Sequence, residues 1–113
     1  MKLGIIRCMQ TEDFCPGTRD FHTIRHKSGV FEGLDEDITL VGFCNCGGCP
    51  GKKAVLRAKK LVERGADTIA FASCIQLGTP IGYACPFAKK MKETIAANIG
   101  PDIRLLDYTH ERG

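Results

Sequence analysis

Apolar residues along this chain fall into short unbroken runs separated by longer stretches with helical spacing. The runs are Leu3 to Arg7, Ile38 to Phe43, Asp67 to Ala72 and Ile103 to Leu106. Each is compact and does not alternate, which is the pattern of strands in a sheet covered on both faces. Between them, Phe21 and Ile24 predict a helix over about 17–28, ended by Ser28-Gly29. Ala54, Val55, Ala58, Leu61 and Val62 predict a second helix from Pro50 to Arg64, with Gly65 as its C-cap. Phe87, Ala88, Met91 and Ile95 predict a third from Phe87 to Asn98, broken by Gly100-Pro101. The segment from Val30 to Asp37 reads as a loop anchored by Val30 or Phe31 and by Leu34, with an acidic patch at Glu32, Asp35, Glu36 and Asp37.

Strand then helix, three times over, with a closing strand, implies parallel pairing through right-handed crossovers. The expected fold is α/β: a three-layer α/β/α sandwich with a four-stranded parallel sheet in the flavodoxin-like order 2-1-3-4. At 113 residues the chain is expected to form one domain, 1–113, with room for one core.

Bulk composition adds little to this picture, at 43% hydrophobic and 26% charged residues. No apolar run approaches the roughly 18 residues of a bilayer span. The opening Met1-Lys2-Leu3-Gly4-Ile5-Ile6 is too short for a leader and is not followed by a small-residue cleavage site. A cytoplasmic protein without membrane contact is expected. In that compartment seven cysteines read as ligands or redox groups before they read as disulfides. The net charge of +3 points to no partner. Lys52, Lys53, Arg57, Lys59, Lys60 and Arg64 cluster on the second helix, but no aromatic residues for base stacking lie among them. They read as a solvated helix face, not a nucleic-acid surface. Protein partners and oligomeric state leave no mark in the sequence.

The chemistry concentrates in Phe43-Cys44-Asn45-Cys46-Gly47-Gly48-Cys49-Pro50-Gly51-Lys52-Lys53, a strand-to-helix turn holding three thiols. Cys8 follows the first predicted strand, Cys74 the third and His110 the fourth, while Cys15 and Cys85 lie farther along two of the same loops. In a parallel sheet these positions share the edge where such folds bind ligands. Cysteines serving only as core would fall inside strands and helices, and on this reading none does. Cys15-Pro16, Cys49-Pro50 and Cys85-Pro86 each read as an N-cap followed by proline at the first helical position, which sets a thiol in the positive field of a helix start.

Several thiolates on one edge call for a cation. Zinc or an iron–sulfur cluster is the expected cofactor. Cys46-Gly47-Gly48-Cys49 has the spacing for two ligands to one metal, and Cys8, Cys74, Cys85 and His110 can complete a shell, with Arg7 offsetting excess charge. His22 and His26, four residues apart, read as exposed, and Met9 and Met91 as packing. The alternative is a thiol–disulfide oxidoreductase using Cys46-Gly-Gly-Cys49, with Thr79-Pro80 as its proline loop. An all-parallel sheet and five further cysteines argue against it. A non-enzymatic binding module with incidental cysteines is the third reading. Gly51-Lys52-Lys53 does not meet the spacing of a phosphate loop.

Taken together, Arg7-Cys8, Cys15-Pro16-Gly17-Thr18, Cys46-Gly47-Gly48-Cys49-Pro50-Gly51-Lys52, Ala72-Ser73-Cys74, Cys85-Pro86 and Thr109-His110 resemble the CGGC-domain family across nearly the whole chain. The resemblance implies a small prokaryotic metal-binding protein, zinc being the first expectation. It also implies that Cys8, Cys15, Cys46, Cys49, Cys74, Cys85 and His110 are the metal residues. Cys44 has no counterpart in that pattern. The resemblance implies no reaction, so catalytic residues stay unassigned.

Overall fold

A computed structural model describes residues 1–9, 16–48, 51–76 and 85–109. Its elements are β1 (Lys2–Arg7), α1 (Thr18–His26), a 3-10 turn (Gly29–Phe31), β2 (Thr39–Asn45), α2 (Lys52–Glu63), β3 (Thr68–Phe71), α3 (Ser73–Gln76), α4 (Ala88–Ile99) and β4 (Arg104–Leu106). The four strands form one parallel sheet in the order β2-β1-β3-β4, as the alternation of strands and helices requires. β1 and β3 are buried along almost their whole length, which explains their unbroken apolar runs.

One irregularity sets how the helices sit. β1 and β2 pair Leu3 with Leu40 and then Gly4 with Gly42, so Val41 is an extra residue in β2. The bulge brings Gly4 and Gly42 side by side under Leu61 of α2. A Cβ built on Gly42 would stand 2.5 Å from Leu61 Cδ2, and one on Gly4 2.8 Å from Leu61 Cδ1. The two glycines therefore let α2 approach the sheet closely. Phe43, the next position along β2, faces the other way and stacks on Phe21 of α1 with ring centroids 5.1 Å apart. α1 and α2 thus cover opposite faces, and α4 packs beside α2. The core between the layers holds Leu3, Ile5, Ile6, Ile69, Phe71, Ile75, Ala54, Ala58, Met91 and Ile95.

Four local expectations are corrected. α2 begins at Lys52 with Gly51 as N-cap, not at Pro50, and α4 begins at Ala88 with Phe87 as N-cap. α1 starts at Thr18, capped by Gly17. Each Cys-Pro pair therefore precedes its cap by one step, because Gly17 and Gly51 take the left-handed cap conformation that neither cysteine nor proline adopts easily. Second, β2 runs on through Cys44 to Asn45, since pairing with β1 continues to Arg7. Third, Cys74 lies in a four-residue helix that directly follows β3. Cys44 and Cys74 thus do fall inside regular elements. Fourth, Met9 is exposed, whereas Met91 is core.

Candidate metal centre at the sheet edge

The chain leaves β1 and β3, the two central strands, in neighbouring positions. After β1 the chain goes to α1 on one face, and after β3 it goes on to α4, which packs beside α2 on the other, so the gap past these strand ends is the crevice where the winding changes direction. Two thiols border it. The Cys8 backbone N–H donates to Cys74 Sγ at 3.2 Å. Cys74 is buried at 7% exposure and Cys8 is half-buried. The N–H of Ala72 donates to the carbonyl of Ile6 at 2.9 Å, which carries β1–β3 pairing up to this point. Cys85, half-buried, is tied to the same corner by its N–H, which donates to the Ile75 carbonyl at 2.8 Å.

From the other side, the turn after β2 folds over the end of β1. The Cys46 N–H donates to the Arg7 carbonyl at 2.7 Å, and Cys46 is 6% exposed. Gly47 and Gly48 then take positive φ of 80° and 102°, a sequence of conformations open to glycine. Asn45 locks this bend: its Oδ1 accepts from the Gly47 N–H at 2.7 Å, a side-chain turn that mimics a backbone one. Arg57 of α2 reaches the same residue, Nη1 donating to Asn45 O at 2.9 Å and to Oδ1 at 2.6 Å. Arg57 is thus no solvated helix-face residue but a tether of the thiol turn. Lys52, Lys53, Lys59 and Lys60 on the same helix are exposed as expected. Beside Arg57, burial pushes the Cys44 thiol pKa up, and the guanidinium pulls it partly back.

Arg7 is almost fully buried at 7% exposure, with its guanidinium carbon 5.3 Å from the centroid of the Phe43 ring. It brings a permanent positive charge to the strand ends next to Cys8. A second buried polar group lies nearby. Thr109, fully buried after β4, donates through Oγ1 to Asp20 of α1. Its N–H donates to Ser73 Oγ at 3.3 Å, and the two hydroxyls are 3.4 Å apart.

Of the sequence-predicted site residues, the structure brings Cys8 and Cys74 together and sets Cys46 and Cys85 on the same edge. Cys15, Cys49 and His110, like Thr79-Pro80, lie outside the described residues. Among the described residues no three His, Cys, Asp or Glu side chains are grouped as a metal ion needs. No disulfide joins two of the five described cysteines. His22 and His26 are exposed on α1, with ring centroids 4.3 Å apart. No described helix is long and apolar enough to cross a membrane. Sequence reasoning missed Asn45, Arg57, Asp20 and Ser73. Only Asn45, inside the turn motif and two residues before a glycine, carried a local signal.

The CGGC domain family model matches residues 2–110, and the chain belongs to that family. It is similar to the uncharacterized protein MJ0582 of Methanocaldococcus jannaschii, 39% identical over 93 residues that make up 77% of this chain and 69% of that protein. It is also similar to the uncharacterized protein MJ0766 of the same organism, 41% identical over 51 residues, 44% of this chain and 73% of that protein. No solved structure matches it.

Proposed function

We propose that this CGGC-domain protein binds a metal ion through thiolates in the crevice past the ends of β1 and β3, with zinc the first choice and an iron–sulfur cluster the second. The observation that carries this reading is the Cys8 N–H to Cys74 Sγ hydrogen bond of 3.2 Å, which joins two thiol-bearing segments across the crevice. Hydrogen bonds to sulfur of this kind orient thiolate ligands and tune the metal they hold. Soft, partly buried cysteines suit zinc or iron and do not suit magnesium or calcium. The described residues supply the Cys8–Cys74 pair, with Cys46 and Cys85 tied by backbone bonds to Arg7 and Ile75 on the same sheet edge. Cys49, Cys15 and His110 are the remaining proposed ligands. A bound metal would supply a Lewis acid or, as a cluster, an electron store. The chain's own contribution is to gather thiols, to place the Arg7 charge near them, and to keep water from Cys46 and Cys74.

The thiol–disulfide reading is weaker on one point. An attacking thiol must be reached by another molecule's sulfur, and Cys46 is buried. The test is elemental analysis and a visible spectrum on protein purified without oxygen, run beside Cys74→Ser and Cys44→Ser. About one zinc, or iron with sulfide, that is lost in Cys74→Ser and kept in Cys44→Ser is the expected result. Equal metal content in wild type and in Cys8→Ser, Cys46→Ser and Cys74→Ser would sink the assignment. A metal-free protein whose thiols oxidise reversibly in pairs would put the oxidoreductase reading first.

A further inference from the structure

We propose that Thr109 is a positioning residue for Cys74, acting through a buried Asp20–Thr109–Ser73 hydrogen-bond chain. The purpose of that positioning rests on the metal reading above; the contacts themselves do not. Thr109 is fully buried, and each of its polar groups has a partner. Its Oγ1 donates to Asp20, its N–H donates to Ser73 Oγ at 3.3 Å, and its carbonyl accepts from the Val30 N–H at 3.2 Å. Ser73 and Asp20 are themselves buried.

Proton bookkeeping fixes the direction of the chain. The Thr109 hydroxyl donates its single proton to Asp20 Oδ1. The 3.4 Å contact between the two hydroxyls must then be filled by the Ser73 proton, donated to Thr109 Oγ1. Ser73 Oγ in turn accepts from the Thr109 N–H. Ser73 and Thr109 therefore bond to each other reciprocally, and Asp20 accepts from Thr109. Ser73 is the first residue of α3 and Cys74 is the second. A residue 36 positions after Ser73 thus holds the side chain immediately before the thiol that meets Cys8. The same Thr109 holds the segment after β4 against α1 and the 3-10 turn.

Valine has the same shape as threonine and keeps the N–H, but it cannot donate to Asp20 or accept from Ser73. The test is the rate at which Cys74 and Cys44 react with iodoacetamide in the full chain, each followed by peptide mass spectrometry. Cys44 faces α2 beside Arg57 and reports general loosening. Thr109→Val is expected to speed Cys74 labelling by about tenfold with little change at Cys44, as loss of a buried hydrogen-bond partner implies. Thr109→Ser should restore the slow rate, since it keeps the hydroxyl and loses only a methyl group. If Thr109→Val does not fold, Ser73→Ala cuts the same chain next to Cys74 and is expected to give the same selective rise. Equal acceleration at both thiols, or none at Cys74, overturns the proposal. The Co2+ spectrum of the same proteins separates the two readings. If wild type shows no sulfur-to-cobalt band, the metal reading fails while the labelling still decides the role of Thr109.

Discussion

Arg57 grips Asn45 twice, its Nη1 lying 2.9 Å from the Asn45 carbonyl and 2.6 Å from Oδ1. The second contact falls on the same oxygen that accepts the Gly47 N–H. The arginine therefore holds the first residue of the thiol turn from the helix that follows it. Replacing Arg57 by leucine keeps the aliphatic stem and removes both bonds. We expect a loss of about 1–3 kcal/mol in urea unfolding, the range for hydrogen bonds to a charged donor that is partly buried. Lys59→Ala, on the exposed face of the same helix, should stay within about 0.5 kcal/mol of wild type. Matching values for the two variants would show that the tether contributes nothing.

The same guanidinium acts on Cys44. Burial raises the thiol pKa, and Arg57 lowers it by less, so the folded protein keeps this proton to higher pH than the unfolded chain does. The sign follows from linkage. The contribution is complete below the ordinary thiol pKa of about 8.5 and is lost as pH rises through the folded-state value. Chemical-denaturation midpoints should therefore fall more steeply above about pH 8.5 in wild type than in Cys44→Ala. Arg57→Leu should move the folded-state pKa further up and delay Cys44 alkylation. Parallel pH profiles for wild type and Cys44→Ala would contradict this account.

Much of the fold was legible because four strands carry continuous apolar runs and three helices carry stripes, patterns that depend only on what each element buries. Ends were less legible. β2 extends to Asn45 because β1 offers pairing partners to Arg7, and no residue between Phe43 and Asn45 announces it. α3 has four residues and cannot show a helical period. The shared edge was legible, since Cys8 and Cys74 each follow a central strand and do meet. Its supports were not. Asp20 and Thr109 are 89 positions apart, and Arg57 looks like any other base on a lysine-rich helix. Such contacts come from tertiary packing alone.

Gly42 gives a sharper test of the packing beneath the site. A Cβ there would stand 2.5 Å from Leu61 Cδ2, and Leu61 is itself held over Gly4. The methyl group of Gly42→Ala would overlap Leu61 unless that side chain shifts, and Leu61 is packed in the core at 7% exposure. We expect a cost of about 1–3 kcal/mol from overpacking, despite the better strand propensity of alanine. Leu61→Val in the Gly42→Ala background should recover part of that loss, giving a coupling of at least about 0.5 kcal/mol in a double-mutant cycle. Strict additivity would mean that the two side chains do not compete for the space.

Metal binding at the crevice should also be visible as stability. A metal that binds the folded chain alone stabilises it by about 2.7 kcal/mol at a free concentration 100 times its dissociation constant. The melting temperature should then rise on adding zinc to metal-free reduced protein and fall back with chelator. Cys8 and Cys74 give this prediction its specificity. Cys74→Ser replaces the sulfur that accepts the Cys8 N–H with a harder, weaker ligand. Its metal-free melting temperature should change little beside the loss of the zinc-dependent increment. Cys44→Ser, on a strand face turned to α2, should keep the whole increment. If Cys44→Ser loses the increment and Cys74→Ser keeps it, the metal lies on the α2 side of the turn, and the crevice between β1 and β3 is not the site.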